Sequence, residues 1–211
     1  MPQRLSPAPL DVRLARWLVR PLASTPVHPN HLTLFSLLLG LASAALFALG
    51  GTALLGWAAA LYMVAVFSDH LDGELARLTG RTSRFGHYLD FLVGGLNYTL
   101  MFIGVGYGLW RQGTGDWALL LGLAAGLANP VIMTLRVSME NRFGFESVDH
   151  PQLGLFTIED FIYLIGPLTW LGDVTWFFLP YGLGALGYLA WTVWEFHKWS
   201  RRSDAGNQPA T

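Results

Sequence analysis

The sequence predicts an all-α integral membrane protein, with six transmembrane helices and an N-terminal interfacial amphipathic helix, on three observations. Of the 211 residues, 53% are hydrophobic and only 13% charged, too little polar surface for a water-soluble domain of this size. Six apolar segments, at residues 31–50, 52–76, 85–110, 116–138, 153–172 and 174–197, approach the about 20 residues that a helix needs to cross a hydrocarbon core. The basic residues also segregate. With alternate loops taken as one side, Arg4, Arg13, Arg16, Arg20, Arg77, Arg81, Arg84, Arg136, Arg142, Lys198, Arg201 and Arg202 fall together, 12 of the 13, and only Arg111 lies opposite. Short cytoplasmic loops carry such an excess. Both termini, and the loops after the second and fourth spans, are therefore expected in the cytosol of a bacterial or archaeal cell, with the chain in its cytoplasmic membrane.

Residues 1–10 hold three prolines and no apolar run, unlike a cleaved signal peptide. Residues 11–20 are too short to span. Arg13, Arg16 and Arg20 share a helical face there, while Leu14, Trp17 and Leu18 can turn to lipid. Pro21, Pro26 and Pro29 break the chain before the first span, so residues 1–30 read as a cytosolic N-terminus with an interfacial helix. Gly50-Gly51 and Gly172-Asp173 mark tight turns, making hairpins of spans one–two and five–six. Residues 31–198 form the membrane domain, and the polar stretch 199–211 reads as a disordered cytosolic tail. The tryptophans at span ends, among them Trp17, Trp57, Trp110, Trp117, Trp170, Trp176 and Trp199, suit interfacial anchoring.

Composition also removes function classes. A net charge of −1 lacks the basic excess that nucleic-acid binding requires. Zero cysteines exclude disulfides and thiolate-ligated metals, so any metal must sit on oxygen or imidazole.

The chemistry concentrates at one hairpin. Asp69, Asp72 and Glu74 end the second apolar segment, and Asp90 lies about one and a half turns into the third. Each carboxylate at that depth costs about 2.5–3.5 kcal/mol in lipid, so a hydrated, protein-lined cavity is expected. Asp69 and Asp72 are spaced i,i+3, with Gly73 and Ala76 leaving room beside them. Gly86, Asp90 and Gly94 step by four along the facing helix. Three acids so gathered call for a divalent cation, and hard oxygen ligands suit Mg²⁺ or Mn²⁺. Such ions hold diphosphates and stabilise charge on a displaced phosphate.

The run Asp69-His70-Leu71-Asp72-Gly73-Glu74-Leu75-Ala76-Arg77, then eight residues, Gly86, three residues and Asp90 resembles the signature of the CDP-alcohol phosphotransferase family, D-x2-D-G-x2-A-R-x8-G-x3-D-x3-D. Pro29-Asn30-His31-Leu32-Thr33 resembles a further element common before that family's first span. The resemblance implies an amphipathic N-terminal helix, six spans and a homodimer. It implies that Asp69, Asp72 and Asp90 ligate metal, that Gly73, Ala76 and Arg77 border the cytidine and phosphates, and that Gly86 lets the nucleotide approach. The implied reaction is metal-dependent transfer of a phosphoalcohol group, with phosphatidyl the favoured one, from a CDP-alcohol to an alcohol acceptor, releasing CMP. Donor entry from lipid favours CDP-diacylglycerol.

One position departs from the signature. The fourth aspartate, the family's candidate base, is Gly94, which can neither ligate nor take a proton. His87 and Glu159 are the candidate replacement bases, with Asp160 a further candidate beside Glu159; Asn97 shares the Asp90 face but cannot take a proton near neutral pH. The alternative is a catalytically impaired member that binds CDP-alcohols or scaffolds partner enzymes. A transporter would place its charges at mid-membrane rather than at one face. Arg136 is expected either to bind a donor or acceptor phosphate or to anchor the helix end. Glu159 and Asp160 either face acceptor groups or pair with Arg136 or Arg142.

Overall fold

The computed structural model describes residues 10–144, 152–153 and 156–206. It is helical apart from one minimal hairpin. Helix α1 (Leu10–Val19) leads through a 3₁₀ turn (Pro21–Ser24) to α2 (Pro29–Leu49), α3 (Thr52–Thr79), α4 (Arg84–Arg111) and α5 (Asp116–Phe143). Two antiparallel two-residue strands, β1 (Gln152–Leu153) and β2 (Phe156–Thr157), precede a 3₁₀ helix (Ile158–Leu164), α6 (Ile165–Leu171) and α7 (Thr175–Gly206).

Among the described residues four helices, α2 to α5, are long and apolar enough to cross a membrane, and only 28–44% of each apolar stretch is buried inside the protein. Leu38, Trp57, Leu92 and Leu120 instead point outward, exposed. An apolar exterior of this extent is what lipid, rather than water, accommodates.

The expected fifth span differs. It opens as the hairpin and 3₁₀ helix, and only Ile165–Leu171 is α-helical. Pro167 lies in the first turn of α6, where its missing N–H leaves no helical hydrogen bond unmade, and the residues before it wind as the 3₁₀ helix. Residues 158–171 rise about 25 Å, short of a core about 30 Å thick. Helix α7 has 32 residues, ample length, but Gly, Tyr and Trp dilute its apolar run. It also continues to Gly206, past the tail boundary expected at 199.

Short polar side chains and glycines join the bundle. Ser36 and Ser43 of α2 donate to the carbonyls of Ala65 and Ala58 on α3, at 2.9 and 2.7 Å. Asn97 of α4 donates to Ser36 at 2.9 Å, and Thr99 to the Gly126 carbonyl of α5 at 2.8 Å. Gly104 and Gly108 lie so close to α2 that a Cβ would stand 2.5 Å from the Ala44 carbonyl oxygen and 2.1 Å from that of Phe47. Small residues at such crossings are how membrane helices approach, since lipid removes the hydrophobic drive between them.

Candidate metal and nucleotide site

The site forms where α3 and α4 leave the bundle's apolar zone together. Gly80, at φ 67°, ends α3 in the left-handed conformation, which glycine adopts without a Cβ penalty. Ser83 starts α4, accepting from the Gly86 N–H at 2.9 Å, as an N-cap does. This short turn sets the two signature segments side by side.

Asp69, Asp72 and Asp90 each offer an oxygen, and the three lie within 4.8 Å of one another. Asp72 is buried. Thr33 of α2, also buried, donates a short hydrogen bond to Asp72 Oδ2. Asp90 faces Asp69 across the hairpin, with His87, His70 and Arg77 within electrostatic reach of Asp90. Opposite oxygens around an octahedral Mg²⁺ stand about 4.2 Å apart, and paired ions span about 3.5–4 Å. The observed spread therefore fits one ion after small side-chain rotations, or two. An all-oxygen donor set suits a hard cation, so the residues fit the expected metal.

The Pro29-Asn30-His31-Leu32-Thr33 element has a structural role here. His28 caps α2: its Nδ1 accepts from Asn30 N at 3.2 Å, while His31 Nδ1 accepts from His28 N at 3.3 Å. Pro29 occupies the first turn, where no N–H is needed. The helix so started delivers Thr33 to Asp72. Asn30 comes against Gly86, whose Cβ would stand 3.1 Å from Asn30 Oδ1, so glycine at 86 admits the α2 start.

Glu74 is separate from the aspartates. It is buried, with Oε2 accepting from Arg16 Nε of α1 at 2.9 Å and Oε1 from Arg77 Nη2 and Nε at 2.7 and 3.2 Å. The Glu74 hydrogen bond, then its charge, raise the Arg16 guanidinium above its ordinary value. Arg77 thereby folds over Gly73, whose Cβ would meet its guanidinium at 3.4 Å, with half-buried Ala76 in the same turn. Helix α1 docks on α3 through Ala15 and Val19, both buried, leaving Leu14, Trp17 and Leu18 exposed.

Gly94 borders the triad. A Cβ there would stand 4.0 Å from Asp69 Oδ2 and 4.0 Å from Met133 Cε of α5. His87 is exposed in the first turns of α4, its ring beside Tyr88. The side chains of Glu159 and Asp160 lie outside the described residues. Arg136 is buried and faces α7, where Nη2 lies 2.9 Å from Glu195 Oε2 and the guanidinium covers the Tyr188 ring at 5.1 Å.

Sequence reasoning missed three features. Glu195 carries no motif, and only the fold brings it to Arg136. Tyr163 of the segment before α6 lies 3.3 Å from His70 Nδ1. Tyr62, seven residues before Asp69 on α3, is fully buried, and its hydroxyl finds no hydrogen-bond partner among the described residues. The i,i+7 spacing on one helix face was the available signal for Tyr62.

An all-helical membrane bundle carrying a carboxylate triad on one hairpin defines a class that comparison with known proteins makes specific. The family model described as CDP-alcohol phosphatidyltransferase matches residues 26–196. The chain belongs to that family. It is 37% identical over 87 residues to an archaetidylinositol phosphate synthase of Pyrococcus horikoshii, covering 41% of this chain and 45% of that protein. Over 60 residues it is 40% identical to a phosphatidylinositol phosphate synthase of Streptomyces avermitilis, covering 28% of this chain and 24% of that one. The aligned stretches thus span less than half the length of these relatives. Its fold is similar to the crystal structure of Mycobacterium tuberculosis phosphatidylinositol phosphate synthase with CDP-DAG bound, at a TM-score of 0.60 and 19% identity, covering 91% of this chain and 92% of that chain.

Proposed function

We propose that the protein transfers a phosphoalcohol group, with CDP-diacylglycerol the favoured donor, from a CDP-alcohol to an alcohol acceptor and releases CMP in phospholipid or related biosynthesis. The observation that carries this reading is the convergence of Asp69, Asp72 and Asp90 within 4.8 Å, on the hairpin that bears the family signature. These three residues would hold Mg²⁺ or Mn²⁺. When bound, the ion neutralises the diphosphate and the charge developing on the departing CMP. Thr33 holds Asp72 in place, as partners behind metal ligands do. Arg77, steadied by Glu74, borders the donor phosphates, while Gly73, Ala76 and Gly86 leave room for the nucleotide. His87 and Glu159 are the groups proposed to take the acceptor's proton in place of the aspartate absent at Gly94.

In this reading both termini and the site face the cytosol, the 158–171 segment and α7 complete six spans, α1 lies at the interface, and two copies form a dimer. The supports are the basic-residue segregation, the outward Leu14, Trp17 and Leu18, and the family resemblance. A second reading, a donor-binding member with little turnover, is favoured by Gly94 alone.

The test is thermal stabilisation of the purified chain by Mn²⁺ or Mg²⁺ with a panel of CDP-alcohols, together with CMP release on adding acceptors. Ion-dependent stabilisation by a CDP-alcohol, lost in Asp90→Asn, is expected. If no cytidine compound stabilises the parent chain, the donor assignment fails. Stabilisation without CMP release for any acceptor selects the second reading.

A further inference from the structure

Arg136 and Glu195 form a built ion pair between α5 and α7 that the phosphoryl chemistry above does not use. Arg136 is 8% exposed, with its Nη2 2.9 Å from Glu195 Oε2. Tyr188 closes the other face of the guanidinium at 5.1 Å. The pair is linked to the aspartate cluster through α5. Met133, which reaches the space at Gly94 next to Asp69, precedes Arg136 by three residues on α5, a rise of about 4.5 Å.

A phosphomonoester carries about −1.5 to −2 charge at neutral pH and is gripped by guanidinium groups through paired, charge-assisted hydrogen bonds. Here Glu195 already supplies the counter-charge from within the fold. A phosphate at Arg136 would have to displace that carboxylate or lie against it, and like charges in a buried setting repel strongly. The guanidinium keeps one capacity: its Nε is buried with no acceptor among the described residues, so it can donate once to a neutral oxygen without further charge to balance.

We propose that the acceptor at this site is an alcohol carrying no phosphate, and that Glu195 is the residue that excludes phosphorylated alcohols by neutralising Arg136. The proposal rests on the transferase reading for the existence of an acceptor. It concerns groups on α5 and α7, apart from the metal-binding hairpin.

Two measurements on the lipid-reconstituted full chain with Mn²⁺ test it. In the first, without donor, inorganic phosphate and glycerol phosphate are titrated while thermal stability is followed. The parent chain is expected to show no stabilisation that depends on Arg136. Glu195→Gln is expected to gain stabilisation, and the double variant Glu195→Gln with Arg136→Gln to lose it again. In the second, with CDP-diacylglycerol, glycerol and myo-inositol compete against their monophosphates for CMP release. The parent chain should favour the unphosphorylated alcohols in kcat/KM. Glu195→Gln should shift that ratio towards the monophosphates by about tenfold or more, equivalent to about 1.4 kcal/mol, whereas Glu195→Asp should retain the parent's preference.

Preference of the parent chain for a monophosphate, or phosphate stabilisation of the parent that Arg136→Gln abolishes, overturns the proposal. So does a ratio unmoved in Glu195→Gln. If no acceptor supports CMP release, the transferase reading fails, while the phosphate titration still decides the role of the pair. The parent titration needs no variant to fold.

Discussion

Gly94→Asp tests the chemistry most directly, because the structure fixes what the new side chain meets. Its Cβ would stand 4.0 Å from Asp69 Oδ2 and Met133 Cε, ordinary contact, so the backbone need not move. The carboxylate then joins three others already within 4.8 Å. Without metal, one more like charge at about 4 Å costs up to about 4 kcal/mol at an effective dielectric of about 20, and partial hydration of the triad lowers that to about 1–4 kcal/mol. A chain of this size shifts its Tm by about 2–4 °C per kcal/mol. The variant should therefore melt several degrees below the parent in chelator and recover in Mn²⁺, with a larger ion-dependent shift than the parent shows. A positioned base is worth about 10²–10⁴ in rate, so CMP release with CDP-diacylglycerol and acceptor should rise by that factor if the parent lacks one. Release that stays level or falls, with the Mn²⁺ rescue intact, would mean that a base is already installed and refute the view that Gly94 limits turnover. No change in the Mn²⁺ shift would refute the placement of position 94 beside the triad.

Three further outcomes are expected. Thr33→Val removes the hydroxyl that donates to Asp72; partners of this kind are worth about 10–100-fold in metal affinity, so a Mn²⁺ titration should weaken by roughly tenfold or more, and unchanged affinity would deny Thr33 its role. Glu74→Gln loosens Arg16 and Arg77, whose side chains are 52% and 63% exposed, so solvent screening limits each arm to about 0.2–1 kcal/mol. The KM for the donor should rise with kcat retained, and a double-mutant cycle with Arg16→Gln should show coupling; additive losses would count against the linkage. Gly104→Ala pushes a methyl group to within 2.5 Å of the Ala44 carbonyl oxygen, and overpacking of this kind costs about 1–3 kcal/mol. A Tm within a degree of the parent's would show that α2 and α4 are not so closely packed.

The sequence carried the parts of the fold that depend on local pattern. Long apolar runs located α2 to α5, because hydropathy and length together decide a spanning helix. The aspartates were legible because a signature at helical spacing fixes which residues share a face, and a hairpin then brings two faces together. The fifth segment reads from hydropathy as one continuous helix, and nothing in that pattern announces its division into a hairpin, a 3₁₀ helix and a seven-residue α-helix. Glu74 adjoins the aspartates in sequence, yet two residues on from Asp72 it points about 200° around the helix and meets Arg16, 58 positions away. Glu195 and Arg136 are likewise partners that only the packing of α7 on α5 creates. Long-range pairs of this kind leave no periodic trace in a single sequence.

How the arginines are distributed bears on what the triad is for. Glu74 is answered by Arg16 and Arg77, and Glu195 by Arg136, each carboxylate with a guanidinium nitrogen within 3 Å. Arg77 acts on Asp72 and Asp90 through its charge, while its hydrogen bonds go to Glu74. Glu74 and Glu195 thus receive guanidinium partners at close contact, whereas Asp72 of the triad accepts from the neutral hydroxyl of Thr33, and each close pair of ionised aspartates would repel by up to about 4 kcal/mol. A permanent arginine among them would be the simpler structural remedy. A threonine there keeps the Asp72 carboxylate oriented and would leave the triad's charge for the divalent cation that the proposed reaction requires.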